Sequence, residues 1–595
     1  MCGIAGIMMA NNLSPSLSKL NKMANALSHR GPDGVGSFNL GHVGMVQTRL
    51  AIIDIESGDQ PLFFRDKSKA TNSIQSVLIA NGEIYNYIEI QQRLGLQNFT
   101  TGSDCEAALA LYARHGITFT KYLRGMYAIA IYDVMQKRLI LTRDRFGVKP
   151  LYYCEKNGQF AFSSEPQALI ASGLIQPKID QKIRDELLQI QFTTGRKTIY
   201  DGICRVLPGE TIIIQNGTIK ESLKTPGFPA EAPTKINKYD ALEELDKIFE
   251  DTVRIHQRSD VPYGMFFSGG VDSSSLLTMM KRLNEKPIDT FTIGFSGITA
   301  HDERSHANAL AKAVGANHHE IEFTNADFWN LLPKAIEFMD DPVADYAILP
   351  TYKMAAEAKK MGLKVVLSGE GGDEVFAGYS RYRRAIRPRI LGGRVMRKRG
   401  ILDDLGLLRN TSIKWRDGLA AAEKKANHPS RTALQRVQAI DAADWLPNDL
   451  LMKLDRCLMS NGVEGRVPFL DPKFAYFAYM LPDKLKIQKG MGKWLLREWL
   501  QNNMPLSDAF SRKRGFKVPV GEWIELKNRK LGYLVGKQEG VQELCKSGKV
   551  EQLFSCRGKA QVKAQWSLLF YALWHQQHML GSRDKGGILD TLAST

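Results

Sequence analysis

Residues Phe266 to Ser275 read FFSGGVDSSS, and this stretch decides the fold of the larger half of the chain. An apolar run, Val261 and then Tyr263 to Phe267, leads into Ser268, Gly269 and Gly270, and Asp272 to Ser274 open a helical-looking segment, SSSLLTMMKRL. The pattern predicts a strand, a glycine turn and a helix start. Two glycines let the backbone fold closely around an anion, while free N–H groups and hydroxyls at a helix N-terminus offer donors and a favourable dipole to phosphate. The loop has no lysine of the Walker A kind, so it is not a standard P-loop. A glycine-rich turn without a ligand is the plain alternative.

Downstream, strand and helix signals alternate. DTFTIGF (Asp289 to Phe295) predicts a second strand, followed by a helix from about Asp302 to Val314, the strand HHEIEF, and a helix from about Ala326 to Met339. A further strand lies within GLKVVLSGEGGDEVFAGY (Gly362 to Tyr379). Such alternation implies a doubly wound parallel sheet with ligands at the carboxyl ends of its strands. SGEGGDEVFAGY forms a second chemical loop, in which Glu370, Asp373 and Glu374 cluster among glycines. Carboxylates beside a phosphate loop need compensation, which Mg²⁺ and a nearby lysine supply; an acidic turn capping the next helix is the alternative. LDRCLMSNGVEGRVPFLDP (Leu454 to Pro472) and GMGKWLLREWL (Gly490 to Leu500) follow, with Lys493 beside Arg497, as a site cation or as an exposed helix lysine. Upstream, ALEELDKIFEDTVRIH carries apolar residues at helical spacing. Glu221 to Lys238, with Pro226, Pro229 and Pro233, reads as a linker.

The first half is strand-rich. After Met1 comes Cys2, and removal of Met1 would give one residue both a thiol and an α-amine whose pKa, about 7.7 to 8.0, suits a general base. A small buried cysteine on the first strand is the alternative. SHRGPDG (Ser28 to Gly34) is a polar turn, and QTRLAIID (Gln47 to Asp54) places Arg49 at the start of an apolar strand, where it can grip a carboxylate bidentately or form a surface ion pair. VLIANGEIYNY (Val77 to Tyr87) runs from a strand into Asn81 and Gly82, able to offer an amide and a backbone N–H to one oxyanion, or to form a hairpin turn. TGSDCEAAL (Thr101 to Leu109) puts Asp104 at a helix start, as a cap or as a partner for an ammonium group. Thr198 to Lys220 closes this half as short strands with Pro–Gly and Asn–Gly turns.

FFSGGVDSSS resembles the pyrophosphate loop of the ATP pyrophosphatases, which adenylate an acceptor and release pyrophosphate. The N-terminal clusters together resemble the class II glutamine amidotransferases over about residues 1 to 220, and YAIAIYD, RLILTRDRFGVKPLYY and FAFSSEPQAL fit that family in order and spacing. In this succession the two halves resemble the glutamine-dependent asparagine synthetases over nearly the whole chain. The resemblance implies an α+β N-terminal αββα sandwich of the N-terminal-nucleophile kind and an α/β C-terminal doubly wound parallel sheet with added helices. It implies a glutaminase domain at 1–220, a linker at 221–238 and a synthetase domain at 239–595. Cys2 then attacks glutamine, Asn81 and Gly82 form the oxyanion hole, and Arg49, followed by Leu50, Ala51, Ile52 and Ile53, holds the α-carboxylate, with Glu83 and Asp104 placing the α-amine. Ser268, Gly269, Gly270, Asp272, Ser273 and Ser274 hold the pyrophosphate moiety of ATP, and Phe267, Ile293, Ser368 and Gly369 line the nucleotide site. Asp272 and Asp373 match positions associated with Mg²⁺, Glu370 the glutamate implicated in forming and aminating the acyl-adenylate, and Lys493 the lysine stabilising the adenylation transition state. The implied reaction amidates aspartate through β-aspartyl-AMP, giving AMP, pyrophosphate and glutamate. Asp340 to Thr351 (DDPVADYAILPT) does not fix the acceptor, so a related amidotransferase acting on another carboxylate stays open. A tRNA-modifying pyrophosphatase is the rival from another class.

Composition bounds the rest. At 595 residues, 44% hydrophobic and 24% charged, the chain has material for two sizeable cores. It has no apolar run of about 20 residues and no signal-peptide pattern, from which a cytoplasmic protein without membrane partners is expected. Seven scattered cysteines without CxxC spacing suggest neither disulfides nor a zinc site. A net charge of +17 raises the question of nucleic acid, and Arg381 to Arg399 carries nine basic residues and no acidic one. With few aromatics for stacking, that segment reads equally as a solvated face or a lid, so nucleic acid is not the expected partner. The expected partners are glutamine, ATP as substrate, aspartate and Mg²⁺, with no organic prosthetic group; a homodimer is left open.

Overall fold

The computed structural model describes residues 2–10, 13–65, 73–295, 304–393, 396–410, 414–511, 518–582 and 587–593. Met1, and with it the question of its removal, lies outside them.

The first half is built from two six-stranded antiparallel sheets. One orders β10 (Cys204–Arg205), β8 (Tyr152–Lys156), β9 (Gln159–Ser163), β1 (Gly3–Met9), β3 (Val43–Arg49) and β2 (Gly34–Leu40). The other orders β12 (Thr218–Lys224), β11 (Glu210–Gln215), β7 (Arg138–Arg143), β6 (Gly125–Asp133), β5 (Ile74–Ile84) and β4 (Leu62–Arg65). The period of two along each strand builds the layers. Ile4 and Met8 of β1 meet Val77 and Ile79 of β5 in the core between the sheets. Their neighbours turn the other way: Ala5 and Ile7 pack under Leu20 and Met23 of the helix Leu17–Ala26. Leu78 and Ala80 pack under Ala107, Ala108 and Leu111 of the helix Asp104–His115. The result is the expected αββα sandwich. A slip of one residue in β1 or β5 would exchange two buried faces, so the register is firmly specified.

The second half carries a five-stranded sheet in the order β15 (Asn317–Phe323), β14 (Asp289–Phe295), β13 (Tyr263–Phe266), β16 (Val365–Leu367), β17 (Glu464–Arg466), every pair parallel. The chain winds outward from β13 through β14 to β15, then crosses to β16 and β17. The doubly wound expectation holds, and the order reverses between β13 and β16. The loops leaving these two strands are FFSGG and SGEGG.

Several boundaries differ from the sequence reading. Phe267 lies beyond its strand, and the strand in GLKVVLS is only Val365–Leu367. Residues 302 and 303 of the helix expected from Asp302 lie outside the described residues, and the helix is Arg304–Ala313. Arg49 ends β3 rather than starting a strand. Asn81 and Gly82 sit within β5, paired to Ala128 and Tyr127, not in a hairpin turn. The N-cap of Asp104–His115 is Ser103, so Asp104 is free of that duty. β17 has no apolar signal at all, being Glu–Gly–Arg. Among the described residues no helix is long and apolar enough to cross a membrane.

The halves are tightly joined. One hydrophobic cluster runs from Ala5 and Leu20 through Phe249 and Val366 to Trp574. The linker is strapped down rather than loose: Phe228 stacks on Tyr479 at 4.1 Å, Arg431 donates to the Phe228 and Pro229 carbonyls, and the Thr234 N–H donates to the Met480 carbonyl.

Candidate active sites

The first site assembles at the start of β1. Cys2 is 7% exposed, and its backbone N–H donates to Asn81 Oδ1 at 3.2 Å. Asn81 is fully buried in β5, and with Oδ1 so engaged its Nδ2 is left without a hydrogen-bond partner. A buried donor with nothing to bond costs on the order of 1–3 kcal/mol, a cost maintained where the group serves a ligand. Gly82 follows Asn81, where a Cβ would collide with the Met126 carbonyl of β6. Burial pushes the Cys2 thiol up, while the Leu50 backbone N–H pulls the other way. Ala51 donates to Asp33 Oδ2 at 2.8 Å, and Lys364 of the second half bonds the same oxygen.

Arg49 is buried and occupied: it bonds Asp59 at 2.8 Å, the Ile55 carbonyl at 3.1 Å and the Asp54 carbonyl, shaping the loop that follows Leu50, Ala51, Ile52 and Ile53. Glu83 and Asp104 lie close to one another. Asp104 accepts from the Ile84 N–H at 2.7 Å, and burial pushes its carboxyl up to about 6. Burial, with Glu464 and Asp104 nearby, pushes Glu83 well above the carboxylate range against the pull of Arg466, 3.4 Å away.

The second site lies at the switch point of the parallel sheet. A cavity of about 360 Å³ is lined by Phe267, Ser268, Gly269, Gly270, Asp272, Ser273, Ile293, Ser368, Gly369, Glu370, Asp373 and Lys493. Ser274 is not among its walls; it is buried within the helix Val271–Leu283. The Ser273 hydroxyl ties the loop together, accepting from the Ser268 N–H at 3.3 Å and donating to the Gly270 carbonyl at 3.2 Å. Gly269 has φ +68°, a conformation that favours glycine.

Lys493 is no exposed helix lysine. It is 4% exposed and holds φ +60° at the N-cap of the helix Trp494–Asn503, and its ammonium joins Asp272 and Asp373, the latter at 2.6 Å. Burial opposes its charge, but the two carboxylates outweigh burial and hold it above the ordinary lysine range. A left-handed non-glycine residue at such a junction is the kind of strain that surrounding contacts must enforce. Gly378 leaves room for the pair, since a Cβ there would strike both the Asp373 carboxylate and the Lys493 stem. Glu370 is driven up by burial, with Lys453 opposing. Glu374, next in sequence to Asp373, departs from the cluster expected: it is fully buried behind the loop and accepts from Tyr379 Oη at 2.7 Å; burial, with Asp373 beside it, pushes its carboxyl up to about 8, against the pull of that bond.

Residues given no role in the sequence reading connect the two sites. Arg30 donates to Glu165 at 2.7 Å, to Asp455 at 2.8 and 3.0 Å, and through Nε to the Cys2 carbonyl at 3.3 Å. Arg456 bonds the same Glu165 at 2.8 Å and lies 2.9 Å from Asp340. Asp455 and Arg456 belong to the helix Leu451–Met459, whose Lys453 faces Glu370 at 4.0 Å. On β17, Arg466 bonds Glu464 at 2.6 Å and reaches Glu83. The available signal was the arginine of the polar turn SHRGPDG and charge among the apolar residues of LDRCLMSNGVEGRVPF.

Part of the basic segment 381–399 turns inward. Arg381 bonds Asp441 at 2.6 Å and lies 3.7 Å over the Tyr379 ring, and Arg397 lies 4.0 Å over Trp445. These two cations are spent on the protein itself rather than presented to a polyanion; residues 394 and 395 lie outside the described residues. Among the described residues no three His, Cys, Asp or Glu side chains form a metal cluster.

Comparison with known proteins finds matches to both halves of the chain. The glutamine amidotransferase domain family matches residues 1–224, and the asparagine synthase family matches residues 244–576. Asparagine synthetase [glutamine-hydrolyzing] 1 of Bacillus subtilis (strain 168) is 32% identical, covering 97% of this chain and 96% of its own length. Asparagine synthetase B [glutamine-hydrolyzing] of Escherichia coli (strain K12) is 29% identical over 88% of this chain and 84% of its own. A putative asparagine synthetase [glutamine-hydrolyzing] 2 of Methanocaldococcus jannaschii is 35% identical over 64% and 76%. With a family match over more than half its length and a relative of this identity spanning nearly all of it, the chain belongs to the asparagine synthase family.

Proposed function

We propose that this chain amidates aspartate to asparagine, using MgATP and ammonia released from glutamine. The observation that carries the reading is the coexistence of two complementary sites in one molecule. One is a buried thiol beside the unpartnered amide donor of Asn81; the other is a phosphate-type loop whose cavity also holds Glu370 and the Lys493 ammonium between two carboxylates. We assign glutamine hydrolysis to residues 1–220 and amidation to 239–595, joined by 221–238.

In the first site the Cys2 thiol attacks the glutamine amide carbon, and the oxyanion that develops takes Asn81 Nδ2 and the Gly82 N–H as donors. Removal of Met1 frees the α-amine that accepts the thiol proton. Ammonia leaves, and water hydrolyses the γ-glutamyl thioester to glutamate. Arg49, Glu83 and Asp104 orient the amino acid; a raised carboxyl still accepts from an ammonium once the charge arrives.

In the second site the β-carboxylate of aspartate attacks the α-phosphorus of ATP; the new O–P bond replaces the bond to pyrophosphate. Backbone donors of Ser268 to Ser273 and the Lys493 ammonium hold the leaving pyrophosphate. Asp272 and Asp373 converge on one point, a donor set that suits Mg²⁺, which commonly takes one or two protein carboxylates with phosphate oxygens. When bound there, Mg²⁺ supplies charge neutralisation at the triphosphate. Ammonia then attacks the acyl carbon and displaces AMP, with Glu370 placed to take the proton it sheds.

The test supplies glutamine, MgATP and a panel of carboxylates and follows AMP and amide product by mass spectrometry. Stoichiometric asparagine and AMP with aspartate is the expected result; turnover of another acid in its place overturns the acceptor.

A further inference from the structure

The loop that carries Asp373 is held from behind by a buried lysine that no step of the chemistry uses. At the end of the short helix Gly372–Val375, the carbonyls of Glu374 and Val375 both accept from Gln438 Nε2, at 2.7 and 2.9 Å. Gln438 belongs to the helix Ala433–Ile440 and is fully buried. Backbone carbonyls only accept, so Nε2 must face the loop, and Oε1 is left buried and in need of a donor. Lys486 Nζ supplies it at 3.0 Å, and the same nitrogen donates to the Tyr479 carbonyl. The next carbonyl of the loop, that of Phe376, accepts from the Lys493 N–H at 3.0 Å. Three consecutive carbonyls after Asp373 are thus held from one strip of chain, two by Lys486 through Gln438 and the third by Lys493 directly. Glycines flank this turn, Gly371 and Gly372 before it and Gly378 after it, so its rigidity rests on these bonds.

Lys486 is an unfavourable residue to bury for packing alone. It is fully buried, both of its acceptors are neutral, and Asp483, the acid that favours its charge, already accepts from the Thr432 hydroxyl at 3.0 Å. Burial brings its ammonium down to about 7. A lysine keeps at least two N–H groups whether charged or neutral, so both bonds persist on either side of that value. A methionine would fill a similar space with no charge to desolvate; what it lacks is a donor for Gln438.

On the reading that this cavity binds MgATP, we propose that Lys486 is a positioning residue for the phosphate end of the site: acting through Gln438, it fixes the loop Gly371–Phe376 so that the Asp373 carboxylate meets Lys493. Neither Lys486 nor Gln438 lines the cavity, whereas Asp373 and Lys493 do. The role is that of a hydrogen-bond donor two residues removed from the ligand.

The experiment uses the full chain and compares wild type, Lys486→Met, Lys486→Arg and the double variant Lys486→Met/Gln438→Met. It measures KM for MgATP in ammonia-dependent AMP formation, Kd for magnesium pyrophosphate by titration calorimetry, and glutamine hydrolysis without ATP. Lys486→Met should raise both constants about tenfold, the scale of one buried hydrogen bond, and leave glutamine hydrolysis within about twofold. Lys486→Arg, which keeps the donors, should recover most of the loss. The double variant removes both partners together, so neither is left unpaired and the chain should still fold; because the two residues act in series, its loss should match that of Lys486→Met rather than exceed it. Unchanged constants in a folded Lys486→Met or double variant would overturn the positioning role, as would a fall in glutamine hydrolysis equal to the fall in AMP formation, which would mark Lys486 as a support of the whole fold. Wild type that neither binds magnesium pyrophosphate nor forms AMP would overturn the MgATP reading first, and the positioning role with it.

Discussion

At the scale of single residues, the first site turns on Asn81. Its side chain divides its duties: Oδ1 holds the Cys2 backbone and Nδ2 faces no protein acceptor. Asn81→Ala should lower glutamine-dependent kcat by about 10²–10³, as loss of one oxyanion donor does elsewhere, while ammonia-dependent synthesis continues. Cys2→Ala should abolish the glutamine-dependent reaction and spare the ammonia-dependent one; survival of both would remove Cys2 from the mechanism. In the other half, Lys493 shows why a residue's neighbourhood matters more than its type. On sequence it was either a site cation or a solvated lysine, and two carboxylates from separate loops decide the matter.

At the scale of elements, the helix Leu451–Met459 is the piece on which both sites lean. It continues a π-helical turn, Asp441–Leu450, a geometry often found at functional sites. Its Lys453 faces one cavity, while Asp455 and Arg456 hold Arg30 and Glu165 of the other half. Removing one partner of a buried ion pair costs about 3–5 kcal/mol where the other is left unpaired, and less where, as for Arg30, a second carboxylate (Glu165) still holds it. Asp455→Ala should therefore lower the denaturation midpoint clearly. In the fraction that stays folded it should impair glutamine hydrolysis more than ammonia-dependent synthesis, because Arg30 also bonds the Cys2 carbonyl. Chemical denaturation followed by the two activity assays checks both parts; equal loss of the two activities would mean that Arg30 does not position Cys2.

At the scale of the molecule, one core cluster spans both halves, so calorimetry should record a single cooperative transition rather than two. Its pH dependence has a defined source. Burial holds His256, at the junction of the halves, and His578, in the last long helix, down to about 4. In the unfolded chain each takes a proton near pH 6.5. Between pH 6.5 and about 4 the unfolded state binds more protons than the native one, so stability falls as the pH drops through that window, by up to about 3 kcal/mol per residue. His578→Asn should flatten the loss of melting temperature over that range; an unchanged slope would place the proton uptake elsewhere.

Much of this protein was legible in its residues alone. Alternating apolar residues in β1 and β5, the glycine loop after β13 and the second loop after β16 are local signals, and period and turn chemistry are properties of a few neighbouring residues. The alternation of strand and helix signals determined the parallel sheet and the loops brought forward Asn81, Asp272, Asp373 and Glu370, while Cys2 stood out by its position and the αββα sandwich followed from the family resemblance of the first half. What only the tertiary structure decided rests on partners far apart in the chain. Glu464–Gly465–Arg466 has no strand signal and becomes β17 because Arg466 finds Glu464, the His256 carbonyl and Glu83 in a buried seam. Glu374 leaves the acidic cluster because Tyr379 receives it, and Arg381 leaves the basic one because Asp441 and three aromatic rings do. A charged side chain's role is set by what lies opposite it once water is gone, and sequence order does not record that.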